Sequence, residues 1–490
     1  MNSKVIIHTI GKILKLEGFL FAIPIIFGVY YSEKATISLC IVAFLSIASG
    51  FLLSMIKPDK KAIRAREGMI ITGLAWIILS IVGSLPFIIS GAIPSFTDAV
   101  FETASGFTTT GASILTDLEA MPRCLLMWRS LTHWIGGMGI LVFMIIFIPS
   151  SADEMNIMRA ESPGPSVEKM VPKVRETALI LYSIYFVMTV VLIIALVIAG
   201  MPLFDSICLS FGTAGTGGFG IHSDSIAGYS HACQNIITIG MVMFGVNFNL
   251  YFLIVMRKFK DIRHSEEVIS YLVIYLVASI LVTIGTFGGI VTKLGWEGAE
   301  SFGRLPEAIH HATFQVASVM TTTGYATTDF NLWAGMPKAV LVFIMFIGAC
   351  AGSTGGGIKV SRWILYNKQI AHEIERLIHP NAVTKVRLDG KVVDDKTIRT
   401  ANVYLMAFVF LFVLSLFIIS FDGYDLVTTF TSVAATINNI GPGLGVVGPL
   451  GGFSEFSNLS KWVFIFDMIA GRLELFPILI IFSPYTWRRK

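Results

Sequence analysis

Windows of about 20 consecutive apolar residues recur along the whole chain, the length that crosses the hydrocarbon core of a bilayer. Lipid offers no hydrogen bonds, so each such window has to satisfy its backbone internally and become a helix. Ten spans are expected, at about 16–32, 35–56, 69–90, 126–149, 177–200, 234–256, 268–291, 338–371 (interrupted), 398–420 and 460–483. The composition agrees: 54% of residues are hydrophobic and only 14% are charged. The mean hydropathy is +0.75. A soluble domain carries roughly 25% charged residues. The expected fold class is therefore an all-α polytopic membrane protein, with no room for a large soluble domain. The N-terminus lacks the short apolar region and small-residue cleavage site of a removable signal peptide, so the first span is expected to remain. Cys40, Cys124, Cys208, Cys233 and Cys350 lie in or beside apolar segments without metal-ligand spacing and read as packing residues.

Basic residues set the expected orientation. Lys57, Lys60, Lys61, Arg64 and Arg66 share one short connection, Arg159, Lys169, Lys173 and Arg175 a second, and Arg257, Lys258, Lys260 and Arg263 a third. A fourth runs from Lys359 to Arg399, and the tail ends Arg488-Arg489-Lys490, whereas Met201 to Cys233 holds no Lys or Arg. Positive charge marks the cytoplasmic side, which puts both termini inside. The net charge of +4 is then a topology signal and gives no reason to expect nucleic acid as a partner.

Between the spans a glycine-centred phrase returns four times. The copies are Thr108-Thr109-Thr110-Gly111, Gly215-Thr216-Gly217-Gly218, Thr321-Thr322-Thr323-Gly324 and Asn438-Asn439-Ile440-Gly441, with last glycines 107, 106 and 117 residues apart. Self-similarity at a regular spacing points to repeated structural units. Four glycine-bearing segments meeting around an axis can offer a ring of backbone carbonyls to a dehydrated cation. Glycine reaches the needed backbone angles without steric cost, and β-branched threonine is expected to hold its neighbours extended. The candidate potassium-binding residues are Thr109, Thr110, Gly111, Gly217, Gly218, Thr322, Thr323, Gly324, Asn439, Ile440 and Gly441. A single copy could equally be a helix C-cap followed by a loop; four copies between spans argue for the ring.

From residue 68 onward the organisation reads four times as span, re-entrant segment, span, preceded by an extra hairpin at 1–67. The expected units are 68–150, 151–257, 258–380 with a broken gating helix, and 381–490, arranged as four pseudo-symmetric repeats around one pore. Non-helical backbone at membrane depth is tolerated where protein buries it or water lines it. Asp98 and Asp205 stand 13 residues before their glycines, placed to N-cap a half-helix whose negative end faces the ring. The other two copies put His311 and Thr428 at that offset, with Glu307 and Asp425 slightly earlier.

These residues carry a family resemblance. The chain resembles the Trk/Ktr/HKT superfamily of potassium transporters, closest to the ten-span bacterial Trk-type membrane subunit. The resemblance rests on Gly106-Phe107-Thr108-Thr109-Thr110-Gly111-Ala112, Trp134-Ile135-Gly136-Gly137-Met138-Gly139 and Thr321-Thr322-Thr323-Gly324-Tyr325. It rests further on Ala351-Gly352-Ser353-Thr354-Gly355-Gly356-Gly357-Ile358-Lys359 and Gly471-Arg472-Leu473-Glu474, and covers nearly the whole chain. It implies potassium uptake through a carbonyl-lined filter in a bacterial inner membrane, with rubidium as an analogue and no organic cofactor on this chain. It also implies homodimerisation, contact with membrane lipids, and control by a cytosolic ring of Rossmann-type (RCK) nucleotide-binding subunits. In the family, glycine at the key position of all four loops goes with potassium and serine in the first with sodium, so Gly111 implies potassium. Two departures stand out: the glycine-rich second loop, Ala214-Gly215-Thr216-Gly217-Gly218-Phe219, which leaves its register open by a residue, and His133 where relatives often carry glutamine.

The interrupted span at 338–371 holds Gly348, Gly352, Ser353, Thr354, Gly355, Gly356 and Gly357. Each interior glycine costs a helix about 1 kcal/mol, so the chain is expected to unwind here and to hold alternative conformations readily. The resemblance implies that this loop bars the permeation path as a gate. A close helix-packing patch is the alternative. A phosphate-cradling loop is disfavoured, since the lysine and hydroxyl ending of a P-loop is absent. Arg472 lies 11 residues after Lys461 and 12 before Pro484, about 17 Å from either end of its span. An intramembrane charge is by default functional, and a fixed positive charge beneath a cation filter would slow conduction. The alternative is a structural pair with Glu474, Asp467 or helix carbonyls. Arg129, nearer a span end, is the weaker case.

Other chemistry finds no support. His372-Glu373 is followed by His379, outside the i, i+4 spacing of a zinc-protease helix, and His310-His311 read as capping or pore-mouth residues. No nucleophile–base arrangement is visible, so a polytopic membrane enzyme is the distant alternative. A proton- or sodium-coupled symporter is the nearer one, and would need a second, alternately exposed site. The stretch from Ile358 to His379 reads as an amphipathic stalk carrying the gate helix out of the membrane, or as an ordinary solvated helix.

Overall fold

A computed structural model of the chain describes residues 2–58, 64–139, 174–258, 265–296, 298–380 and 385–487. Lys60, Lys61, Arg159, Lys169, Lys173, Lys260, Arg263 and the Arg488–Lys490 tail, which carry part of the orientation argument, lie outside the described residues, as does the whole 140–149 end of the fourth expected span. Among the described residues the regular structure is helical apart from a two-residue antiparallel pair, Arg387–Leu388 with Lys391–Val392.

Six helices among the described residues are long and apolar enough to cross a bilayer: Ser3–Tyr30, Thr36–Ser54, Ala65–Ser90, Arg175–Ile198, Glu266–Thr286 and Asp395–Asp422. The first begins well before the expected position 16. Lys4, Lys12 and Lys15 dilute its hydropathy, but Val5, Ile6, Ile10, Ile13 and Leu14 form one buried face at helical spacing. Lys15 meets Ser54 Oγ at 3.0 Å. The hairpin with Thr36–Ser54 closes at Gly11 and Gly50, where an added Cβ would come within 2.6 Å of the facing backbone.

Four of the ten expected spans are not continuous. Interruption was expected only at 338–371, where Gly335–Ile347 and Val360–Ile378 indeed flank a loop. His231–Phe244 also turns by 91° into Phe248–Val255. Asn458–Arg472 ends before Phe476–Phe482, with Glu474 and Leu475 left-handed at φ 53° and 70°. Arg123–Met138 ends at Gly139, φ 86°. Close approach explains two of these breaks. A Cβ on Gly245 would lie 2.5 Å from Tyr271 Oη, and one on Gly471 would lie 2.0 Å from the Ile437 carbonyl. Only glycine lets the neighbouring element come that near.

Four short helices occupy the centre: Phe96–Phe107, Leu203–Gly215, Leu305–Met320 and Leu426–Ile437. Each packs against the long helix before it in the chain, against the helix that follows it, and against a third element. Phe96–Phe107 lies against Asn458–Arg472, Leu203–Gly215 against Arg123–Met138, Leu305–Met320 against His231–Phe244, and Leu426–Ile437 against Gly335–Ile347. Every short helix thus leans on the broken element of the preceding unit, and the first leans on the last. The packing closes into a cycle.

The aspartates expected as caps sit one turn deeper. Ser95 caps the first short helix, its Oγ accepting from Asp98 N, while Asp98 pairs with Lys461 Nζ at 2.7 Å. Pro202 precedes the second, and Asp205 accepts from Tyr229 Oη at 3.0 Å. Both acids still complement the positive helix end from the first turn. Asp425 is a true cap, accepting from Val427 N and Thr428 N.

Candidate functional site

Each short helix ends in the same way. The N–H groups of Thr109, Thr216, Thr322 and Asn439 reach back three residues, to the carbonyls of Gly106, Thr213, Val319 and Thr436. Those of Thr110, Gly217, Thr323 and Ile440 reach back five, to Ser105, Gly212, Ser318 and Ala435. This pair of bonds is a Schellman C-cap, and its left-handed residue is Thr109, Thr216, Thr322 or Asn439, at φ 54–60°. The expectation that threonine holds the phrase extended is therefore overturned. β-Branched residues sit in a region they rarely adopt, a local strain that surrounding packing must hold. The C-cap reading and the ring reading describe the same object.

Two residues later the backbone is left-handed again, at Gly111, Gly218, Gly324 and Gly441, φ 75–96°. The repeated pattern fixes the register of the glycine-rich second copy at Gly218. A Cβ on Gly111 would lie 2.0 Å from the Gly217 carbonyl oxygen, on Gly218 1.8 Å from that of Thr323, on Gly324 2.2 Å from that of Ile440, and on Gly441 2.8 Å from that of Thr110. The four contacts run in chain order and close on themselves, so the candidate residues form one ring. Its glycines share a cavity of about 320 Å³, which Arg129, His222 and Glu455 also line.

On the other side of the ring lies the Gly348–Lys359 loop. Gly356 N donates to Thr322 Oγ1 at 2.6 Å, and added Cβ atoms on Gly355 and Gly356 would lie 2.9 and 2.4 Å from the carbonyls of Thr321 and Asn438. Gly348, Gly352 and Gly357 are left-handed, φ 72–77°. Ala351 N donates to Glu267 Oε1 at 2.7 Å, and Cys350 N to the Gly245 carbonyl at 3.0 Å. Arg472 Nη1 donates to the Thr354 carbonyl at 2.7 Å, and its Nη2 to the carbonyls of Gly136 and Gly137. Of the pairings considered for Arg472, the carbonyl one is present, while Glu474 binds Arg362 and Asp467 accepts from Ser415 Oγ at 2.8 Å.

Several residues of this site escaped the sequence reading. Lys359 is buried and donates to the Gly355 carbonyl, a second cation held by the loop; its place directly after the glycine run was the available signal. Glu267 has no local signal, since its partner is 84 residues away. Arg129 is buried with Glu102, Nε to Oε1 2.5 Å, and so belongs to the site more firmly than its position near a span end suggested. His310 and His311 lie within the Leu305–Met320 helix, whose N-cap is Arg304, and bond the side chains of Gln234 and Thr327, so they do not cap it.

Residues 37–488 match the TrkH family, described as cation transport protein. The chain belongs to the TrkH family. Full-length relatives agree. The Trk system potassium uptake protein TrkH of Salmonella typhimurium is 35% identical over 494 residues, covering 100% of both chains. The Trk system potassium uptake protein TrkG of Escherichia coli K12 is 32% identical over 99% of both. The crystal structure of the potassium transporter TrkH from Vibrio parahaemolyticus superposes with a TM-score of 0.87 at 31% identity, covering 100% of each chain. The family assigns this fold to cation transport across a membrane, in agreement with the all-helical, polytopic reading.

Proposed function

We propose that this chain is the membrane subunit of a potassium uptake system, in which the ring of Thr109–Gly111, Gly217–Gly218, Thr322–Gly324 and Asn439–Gly441 is a potassium filter. The observation that carries the reading is the closed order of the four glycine contacts. Left-handed residues at alternate positions turn successive carbonyls to one side, where an extended strand would alternate them. The four helix C-termini add negative potential at the same place. Potassium and its analogue rubidium are the transported ions, and the relatives' names agree in substrate.

The Gly348–Lys359 loop is the gate. It lies directly against the ring, and Arg472 and Lys359 bring positive charge to the same place, which opposes a cation. The path is passive, since one ring and one barrier suffice; a proton- or sodium-coupled symporter would need a second, alternately exposed site. The chain works as a homodimer in a bacterial inner membrane with both termini in the cytoplasm. A cytosolic RCK-type nucleotide-binding ring acts on the gate through the Val360–Ile378 helix, which presents Ile370, Ile374, Leu377 and Ile378 outward.

The test is rubidium influx into liposomes holding the purified chain, with proton and sodium gradients set or abolished by ionophores. Influx that follows the rubidium gradient alone supports the reading. Influx that stops when the proton or sodium gradient is removed would replace it with the symporter.

A further inference from the structure

We propose that the Glu102–Arg129 ion pair is the positioning element that fixes the first two ring segments, and through them the discrimination of potassium from sodium. The inference rests on the ring being the filter.

Glu102 lies on the first short helix and Arg129 on the helix Arg123–Met138, both buried. The carboxylate takes Arg129 Nε at 2.5 Å on Oε1 and the N–H of Ile114 at 3.0 Å on Oε2, and Ser113 Oγ donates to it at 3.0 Å. The guanidinium in turn gives Nη1 to the Gly220 carbonyl at 2.7 Å and Nη2 to Ser113 Oγ at 3.2 Å. Ser113 and Ile114 follow ring glycine Gly111 by two and three residues, and Gly220 follows Gly218 by two. One ion pair therefore grips both segments just past their ring glycines.

The contact continues to a ring carbonyl. The guanidinium carbon lies 3.5 Å from the centre of the Phe219 ring, and Phe219 stacks on His133 at 4.1 Å and 20°. His133 in turn stands where a Cβ on Gly217 would come within 2.4 Å of its ring, and the Gly217 carbonyl is the one that Gly111 abuts. A shift of Arg129 has a packed route to that oxygen, because close-packed groups transmit displacement.

The other half of the ring has no counterpart of Glu102 at the equivalent positions. The positions nine residues before Gly218, Gly324 and Gly441 are Leu209, Gln315 and Ser432, none acidic. Asn331 there exchanges two bonds with Gly445, at 2.9 and 3.1 Å. Removing two charges from water is costly, and a buried pair is weak evidence for stability. Its return here is geometric: a planar fork whose Nε, Nη1 and Nη2 reach three separated acceptors in fixed directions, whereas an ammonium's donors share one nitrogen. A ring held at one spacing favours one ion size over another.

The experiment measures rubidium and sodium influx into liposomes for the full chain and for Glu102→Gln, Arg129→Gln, Arg129→Lys and the double Glu102→Gln/Arg129→Gln, each checked for a monodisperse elution profile. Gly324→Ser, which touches the ring and not the pair, reports on the filter reading separately. The expected result is a fall of about tenfold in the rubidium-to-sodium ratio for each neutral single variant, equivalent to about 1.4 kcal/mol. The double variant should fall no further than a single one, since the two act as a unit. Arg129→Lys should be intermediate. Ratios within about twofold of the parent in folded variants, while Gly324→Ser lowers it, would overturn the proposal and leave the filter standing. An unchanged ratio in Gly324→Ser would instead remove the filter reading itself. If the single variants are not recovered folded, the double variant, which strands no lone charge, decides on the same criterion. If it too is not recovered, Arg129→Lys decides: a ratio equal to the parent's overturns the proposal.

Discussion

Arg472 and Thr354 are joined across 118 residues by a 2.7 Å hydrogen bond from the guanidinium Nη1 to the carbonyl oxygen. The same guanidinium holds the carbonyls of Gly136 and Gly137, so one side chain ties the glycine loop to the broken end of the Arg123–Met138 helix. Arg472→Gln removes the charge and shortens the reach. Rubidium influx into liposomes should rise several-fold, with Arg472→Lys between it and the parent. Influx lower than the parent's would show that the arginine supports the path rather than barring it.

Thr322 and Thr109 offer a matched comparison. Both are left-handed threonines of the ring segments. Thr322 Oγ1 accepts from Gly356 N, whereas Thr109 Oγ1 is buried with no hydrogen-bond partner among the described residues. Thr322→Val strands a buried N–H and should destabilise the protein by about 1–3 kcal/mol. Thr109→Val, equal in shape, should be close to neutral. Thermal unfolding of the two purified variants measures the difference, and equal midpoints would contradict the loop contact.

Gly356 and Gly91 separate packing from backbone freedom. A Cβ on Gly356 would lie 2.4 Å from the Asn438 carbonyl, while Gly91, left-handed at φ 77°, has nothing within 4 Å. Gly91→Ala should cost about 1 kcal/mol through strain alone. Gly356→Ala has to push the loop off the ring, so it should lower stability further and raise influx. Both are read from melting curves and rubidium flux side by side.

Glu119 and Ser223 join two exposed connections, with Ser223 Oγ donating at 2.5 Å and Ser223 N at 2.9 Å. Those two bonds to the ionised carboxylate bring its pKa down to about 2 from the ordinary 4.5. A carboxyl depressed on folding contributes stability that is present above the unfolded value and lost as pH falls through the folded one. His222 Nδ1 lies 3.6 Å from the same carboxylate, so both proteins are compared in a His222→Gln background, where the melting advantage of glutamate over Glu119→Gln should be constant from pH 8 to 5. It should shrink between about pH 4.5 and 2. An advantage that grew on acidification would contradict the assignment.

Much of this site is legible in the sequence, because glycine announces itself. Gly111, Gly218, Gly324 and Gly441 return at near-constant spacing, and the Gly348–Gly357 run cannot continue a helix. The left-handed threonines carry no such mark, since a β-branched residue is the last one expected there. The same holds for Leu475 at φ 70°, three residues past the end of the Asn458–Arg472 helix, where no glycine marks the left-handed turn. Glu102 sits mid-way along the first short helix, and its partner Arg129 is 27 residues away on another. Nothing local in a sequence states such a contact; only the packing of the two helices does.

The central claim is that four carbonyl-bearing segments form one ion-selective ring, and Gly324→Ser tests it most directly. At φ 87° a serine there is strained, and its Cβ would fall 2.2 Å from the Ile440 carbonyl, so the ring has to open. Influx of potassium, rubidium, sodium and lithium into liposomes should favour potassium and rubidium in the parent, and the preference should collapse in the variant while total cation influx persists. An unchanged preference in a folded Gly324→Ser protein would contradict the account.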